Sequence, residues 1–304
     1  MRVSTQIFYE QSKSAMGSLQ SNLLRTQQQL GAGTKILAPS DDPLGATRAL
    51  AVSQSIALNA QYAASRAHTT QSLSMEENAL HSVTDVLQDV KTQLIQAGGT
   101  MSDADRATIA TTLQSSLDQL QGLANTDDGN GQFLFAGFKS GTPPFVRQAD
   151  GSISYVGDQG QRLTQVDVSR QMASTDDGQR IFQHDGTDVF ATLNTVIAAL
   201  KTPVNNAGAQ ALMVSALGTA NREITTAHDN VLTVRSSVGS RLKELDALGV
   251  TGDNRTLSDK SYLSDLQDLD YGSTIAEFYQ RQTALQASQQ TFVKIQQIAL
   301  FNYL

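Results

Sequence analysis

The chain has no cysteine and no tryptophan, its aromatic residues amount to only 6% and its charged residues to 17%. Without cysteine there is neither a disulfide nor a thiolate metal site, so a secreted protein of this sequence must be stable without staples. The scarcity of rings argues against a deep, ring-lined enzyme pocket and suits helices packed through Ala, Leu and Val. No two basic residues are adjacent, and the formal net charge is -7. That balance excludes the basic footprint that phosphate binding needs, so no nucleic-acid partner is expected. Long apolar runs are missing as well: residues 196–200 form the longest, about five residues against the ~20 that span a bilayer. No membrane span is expected. Residues 1–30 hold no apolar stretch of the kind a signal peptide requires, so export, if it occurs, uses another machine and no cleaved leader.

What is present is helical periodicity with unusual flanks. Residues 273–304 contain neither Gly nor Pro, and Phe278, Leu285 and Phe292 recur at intervals of seven, with Ile275, Ile295 and Ile298 nearby. This spacing predicts a long helix with one apolar stripe. Its remaining face carries Gln280, Gln282, Gln286, Gln289, Gln290, Gln296 and Gln297, and its charges are Glu277, Arg281 and Lys294. Gln favours helix and costs far less to bury against another chain than a charge does. The N-terminal stretch has the same character: Met16, Leu19, Leu23, Thr26 and Leu30 alternate by three and four, beside Gln27, Gln28 and Gln29. An ordinary bundle helix would carry charge on its solvent face, so lateral packing among many copies is expected for both ends. Ile7, Leu19, Leu23, Leu30, Ile275, Phe278, Leu285, Phe292 and Ile295 are the candidate assembly residues.

Between the ends, Gly31, Gly33, Pro39 and Pro43 break the first helix, and Asp41 and Asp42 before Pro43 predict a capped second one. Leu73, Leu80, Leu87 and Leu94, with Val83 and Val90 between them, make a heptad seam read as the core of an intrachain bundle. Gly98 and Gly99 end it, and Ser102, Asp103 and Asp105 cap a partner helix through Ile109, Leu113, Leu117, Leu120 and Ala124. From Gly129 the period changes. Strands are predicted at residues 132–136, 145–147, 153–156 and 163–168, with Asp150-Gly151 as a hairpin turn. Helical spacing returns at Val189, Leu193, Val196 and Leu200, and again from about residue 209 to 247, with Gly249 and Gly252 as a break before the terminal stretch.

The expected fold is therefore mainly α: an elongated antiparallel helical bundle or coiled coil built from both termini, with a small β-rich insert in the middle of the chain. Residues 1–42 and 258–304 would form a terminal coiled-coil assembly region, residues 43–130 and 187–257 a helical rod, and residues 131–186 the insert.

Chemistry has few candidates. His68, His81, His184 and His228 are scattered, with no second His at helical spacing, and no G-x-S-x-G elbow is present. The segment from Thr126 to Gly131 places Asp128, Asn130 and Gly131 at calcium-loop positions, but Thr126 and Gly137 stand where the leading acid and the bidentate Glu belong. It reads as a turn. No catalytic residue, metal or cofactor is expected.

Several stretches resemble the bacterial flagellin family, on its hook–filament junction branch: residues 30–43 (LGAGTKILAPSDDP), residues 130–145 (NGQFLFAGFKSGTPPF), Tyr155-Val156-Gly157-Asp158 and the closing residues 299–304 (ALFNYL). Ala38-Pro39 stands where the family often has Arg-Pro. The resemblance covers both ends and the middle, in the family's order. It implies a non-catalytic, extracellular part of the bacterial flagellum, exported through the flagellar type III apparatus. As partners it implies further copies of itself in a ring, hook-associated protein 1, flagellin and an export chaperone at the C-terminal region. The rival readings are flagellin itself, a generic coiled-coil adaptor and a soluble hydrolase on a helical scaffold.

Overall fold

The structure, a computed structural model, describes residues 2–301 and the side chains of residues 7–296. Ile298 and the closing residues 299–304 therefore lie outside the described side chains. In chain order the elements are α1 (Arg2–Ala32), α2 (Pro43–Ala97), α3 (Asp103–Ala124), β1 (Phe145–Arg147), β2 (Ile153–Tyr155), β3 (Leu163–Asp167), β4 (Arg170–Ala173), α4 (Gly178–Phe182), α5 (Val189–Lys201), α6 (Ala207–Gln267) and α7 (Tyr271–Phe301). The chain divides into two compact units, residues 59–253 and residues 1–58 with 254–304. These partings fall inside α2 and α6, whereas composition places them at residues 42/43 and 257/258.

Residues 59–253 hold the apolar core. The heptad leucines Leu73, Leu80, Leu87 and Leu94 are buried with Leu113, Leu117 and Leu120 of α3, Val189, Leu193, Val196 and Leu200 of α5, and Leu217, Ile224, Val231 and Val238 of α6. The backbones of α3 and α5 lie against each other. Ser102 and Asp105 form the expected capping box, with the Asp105 N–H 3.2 Å from Ser102 Oγ and the Ser102 N–H 3.3 Å from Asp105 Oδ2.

The β-bearing stretch is two separate antiparallel hairpins, β1–β2 and β3–β4. In the first, Phe145 faces Tyr155 and Arg147 faces Ile153, and Gly151 takes φ +85° in the turn. Phe145 packs its ring on Phe182, Phe190 and Tyr155. Asn125, just past α3, clamps β1: its Nδ2 donates to the Phe145 carbonyl at 2.8 Å and its Oδ1 accepts the Phe145 N–H at 2.9 Å.

Two expectations are overturned. Residues 132–136 are not a strand, apart from a single bridge between Asp127 and Phe133. Gly131 and Gly137 bracket them at φ +79° and +68°, and Leu134, Phe135 and Ala136 drop into the core as turns. Their backbone groups are satisfied one at a time: the Leu134 N–H by Thr126, and the Phe135 and Ala136 carbonyls by the N–H groups of Gly178 and Asp158. The second concerns Gly249 and Gly252, which do not break α6. A Cβ on Gly252 would lie 2.6 Å from Arg66 Nη2, and the Gly252 carbonyl accepts from Asn59 Nδ2 at 2.5 Å. This glycine permits close approach within the helix.

Candidate assembly surface of the terminal helices

Residues 1–58 with 254–304 are built differently. In this unit α1 and α7 pair antiparallel, with the Tyr9 and Phe292 rings 5.3 Å apart near one end and Arg281 Nη1 2.8 Å from the Asn22 carbonyl further along. Arg281 also bonds Thr26 Oγ1 at 2.5 Å and Glu277 at 2.5 Å, so this charge is spent between the two helices. At the base of the pair the chain crosses itself: Thr34 bridges Asp268, the Lys35 N–H donates to the Gln267 carbonyl at 2.8 Å, and the Leu269 N–H to the Gly33 carbonyl at 3.1 Å. Gly33 sits at φ +72° with Tyr271 against it, which only glycine accommodates without strain.

The SDDP segment has a local mechanical explanation. Asp41 Oδ2 accepts the N–H groups of Leu37 and Ala38, and Asp41 Oδ1 pairs with Arg25 of α1 at 2.9 Å. Asp42 accepts the Gly45 N–H at 2.9 Å and so caps α2, with Pro43 as its first residue. Gly45 has no room for a side chain, since a Cβ would meet Asp42 Oδ2 and Ile36. Asp270 does the same for α7, accepting from Gly272 at 3.0 Å and Ser273 at 3.3 Å, and these backbone donors hold its carboxyl below the usual range.

Of the candidate residues, Leu19, Leu23, Leu30, Phe278, Leu285, Phe292 and Ile295 are half-buried, and Ile7 and Ile275 are exposed. The heptad stripe is thus partly consumed by pairing within the chain. Sequence reasoning missed exposed apolar side chains beside the stripe: Phe8, Leu24, Tyr279 and Val293 on α1 and α7, and Leu44, Leu50 and Leu58 on α2. They lie off the seven-residue interval, and the signal available was their mere presence on faces otherwise filled by Gln, Ser and Thr. Among the described side chains of this unit, Ala49 is the only hydrophobic residue that is fully buried. A unit of this size without a closed core has apolar surface to offer.

No group of three or more His, Asp or Glu among the described residues could hold a metal ion. Asp128 accepts the N–H groups of Asn130 and Gln132, and Gly129 and Gly131 take positive φ, so the former calcium candidate is a turn.

Both ends of the chain paired as helices, with a helical and hairpin-bearing middle, define a flagellin-type structural protein. Residues 3–140 match the bacterial flagellin N-terminal helical region. Over 99% of its length the chain is 40% identical to flagellar hook-associated protein 3 of Escherichia coli and, equally, to that of Salmonella typhimurium, covering 99% of each. A solved structure of a putative flagellar hook-associated protein from Vibrio parahaemolyticus superposes with a TM-score of 0.69 at 25% identity, over 75% of this chain and all of that one. The chain belongs to the flagellar hook-associated protein 3 family. It is a structural component of the bacterial flagellum, in a family of structural proteins and not of enzymes.

Proposed function

We propose that this chain forms the junction ring between hook-associated protein 1 and the flagellin filament, and that α1 and α7 supply the contacts. The observation that carries this reading is the terminal unit, which among its described side chains has no closed apolar core and leaves Ile7, Phe8, Ile275, Tyr279 and Val293 exposed on sparsely charged helices. Neighbouring subunits would complete the burial, and head-to-tail contacts of one surface with another generate a ring. Export through the flagellar type III apparatus, with a chaperone on the C-terminal region, fits the Cys-free chain. The candidate residues from Ile7 to Ile295 are then the contacts of a coiled coil that becomes fully ordered when copies join.

Deletion of the gene tests the reading. Cells should keep hooks, lack attached filaments and shed flagellin into the medium. Attached filaments on the deletion strain would refute it, and loss of the flagellin subunit itself from both filament and medium would make the chain flagellin.

A further inference from the structure

The core of residues 59–253 contains acids that apolar packing does not explain. Glu76 of α2 is fully buried, and Asp176, on the segment joining β4 to α4, is buried too. One cation serves both. Arg241 of α6 pairs with Asp176 Oδ2 through Nη2 and donates Nη1 to the Ala173 carbonyl at 3.2 Å. Glu76 Oε1 accepts the Asp176 N–H at 3.3 Å, and Oε2 has no partner. The other charges nearby are committed: Glu77 pairs with Arg235 of α6 at 2.7 Å, and Asp177 caps α4 by accepting the Arg180 N–H at 2.8 Å.

Two carboxylates against one guanidinium, shielded from water, cannot both ionise cheaply. A proton on Glu76 removes the excess charge and lets its O–H donate to Asp176. Burial first, and then the Asp176 charge, push Glu76 up to about 8, against the opposing pull of Arg241. We propose that Glu76, Asp176 and Arg241 form a proton-dependent clasp that holds the segment between β4 and α4 against α2 and α6. When the proton leaves for solvent, the Asp176 carboxylate faces a second one and the segment loosens. The sign follows from which state binds the proton more tightly. The closed clasp does, so its advantage is complete below the ordinary Glu value, declines as pH rises toward about 8, and falls no further above that. A flagellar protein bathed in the external medium would thereby have a β3–β4 hairpin that is held firmly in acid and loosely in alkali.

Hydrogen exchange of the full chain, corrected for the intrinsic rate at each pH, tests this. The opening constant of residues 173–178 should rise about tenfold per pH unit above the ordinary Glu value and level off once Glu76 ionises in the closed state. In Glu76→Gln, whose amide can still donate to Asp176, the opening constant should not vary with pH. A flat wild-type profile, or the same slope in Glu76→Gln, overturns the proposal. Should the variant fail to fold, infrared spectra of the wild-type chain labelled with ¹³C at the Glu carboxyls decide the matter. A protonated-acid carbonyl band near neutral pH that disappears in alkali supports the clasp, and no such band near neutral pH overturns it.

Discussion

Leu80→Ala and Leu285→Ala remove the same atoms from the two units and should have opposite consequences. Leu80 has no exposed surface and sits among Leu73, Val83 and Leu87 in the closed core, so its truncation leaves a cavity. The cost should be about 3 kcal/mol, within the 2–5 kcal/mol range of buried Leu truncations. Leu285 is only half-buried in the single chain, and at about 25 cal/mol per Å² the apolar area it loses is worth about 1 kcal/mol. Urea unfolding followed by far-ultraviolet circular dichroism suits a chain without tryptophan. Leu80→Ala should lower the midpoint of the main transition at unchanged slope, while Leu285→Ala should cost no more than about 1 kcal/mol. In cells the order should reverse, with Leu285→Ala impairing filament attachment more severely, as the proposed burial of that side chain by neighbouring subunits requires. If Leu285→Ala shifts the main transition as far as Leu80→Ala does, the terminal unit has a closed core of its own and the reasoning fails.

Phe278→Asp places a charge on the half-buried stripe of α7 and should abolish incorporation while residues 59–253 stay folded; a fully motile strain carrying it would count against the assembly surface. Asp42→Ala removes the cap of α2 and should cost about 1 kcal/mol, read as faster amide exchange over the first turn of that helix. Gly137→Ala must fit a side chain at φ +68°, with its Cβ 2.4 Å from the Asp158 carbonyl oxygen. A loss of more than about 1 kcal/mol is expected in the urea midpoint, and an unchanged midpoint would show that the turn readily relaxes. Wild-type stability, relative to that of Glu76→Gln, should fall by a few kcal/mol between the ordinary Glu range and pH about 8, because the unfolded chain ionises first. A constant difference over that window would mean that Glu76 titrates alike in both states.

The long helices were legible because their period is enforced by burial: Leu73 to Leu94 repeat every seven residues, and all four are in the core. The caps were legible for a related reason, since Ser102 and Asp42 each satisfy donors within three residues of themselves. What failed to show was tertiary in origin. Phe133 and Phe135 have strand-like propensity, yet the flanking positive-φ glycines and the fit of Phe135 against Phe182 fold them into turns. β4 went unnoticed because only Met172 of its four residues is buried, which leaves no alternation to read. Gly252 resembles punctuation in one dimension and proves to be clearance for Arg66 in three. At the candidate surface the stripe and the antiparallel pairing of the two ends were both legible, but which side chains that pairing of α1 with α7 covers and which it leaves exposed was not.

The crossing of Thr34 with Asp268 also sets an order of events. Residues 59–253 are one continuous stretch and can close on themselves as soon as they are available, whereas the other unit needs both ends of the polypeptide. Its contacts have the highest sequence separation in the molecule, and loop-closure entropy makes such contacts slow to form from an open chain. Once the middle stretch has folded, the ends are tethered to a common body and the remaining search is short. A chain threaded out end-first would therefore hold α1 unpaired until α7 emerged, so the assembly surface proposed for these two helices would be the last part to mature.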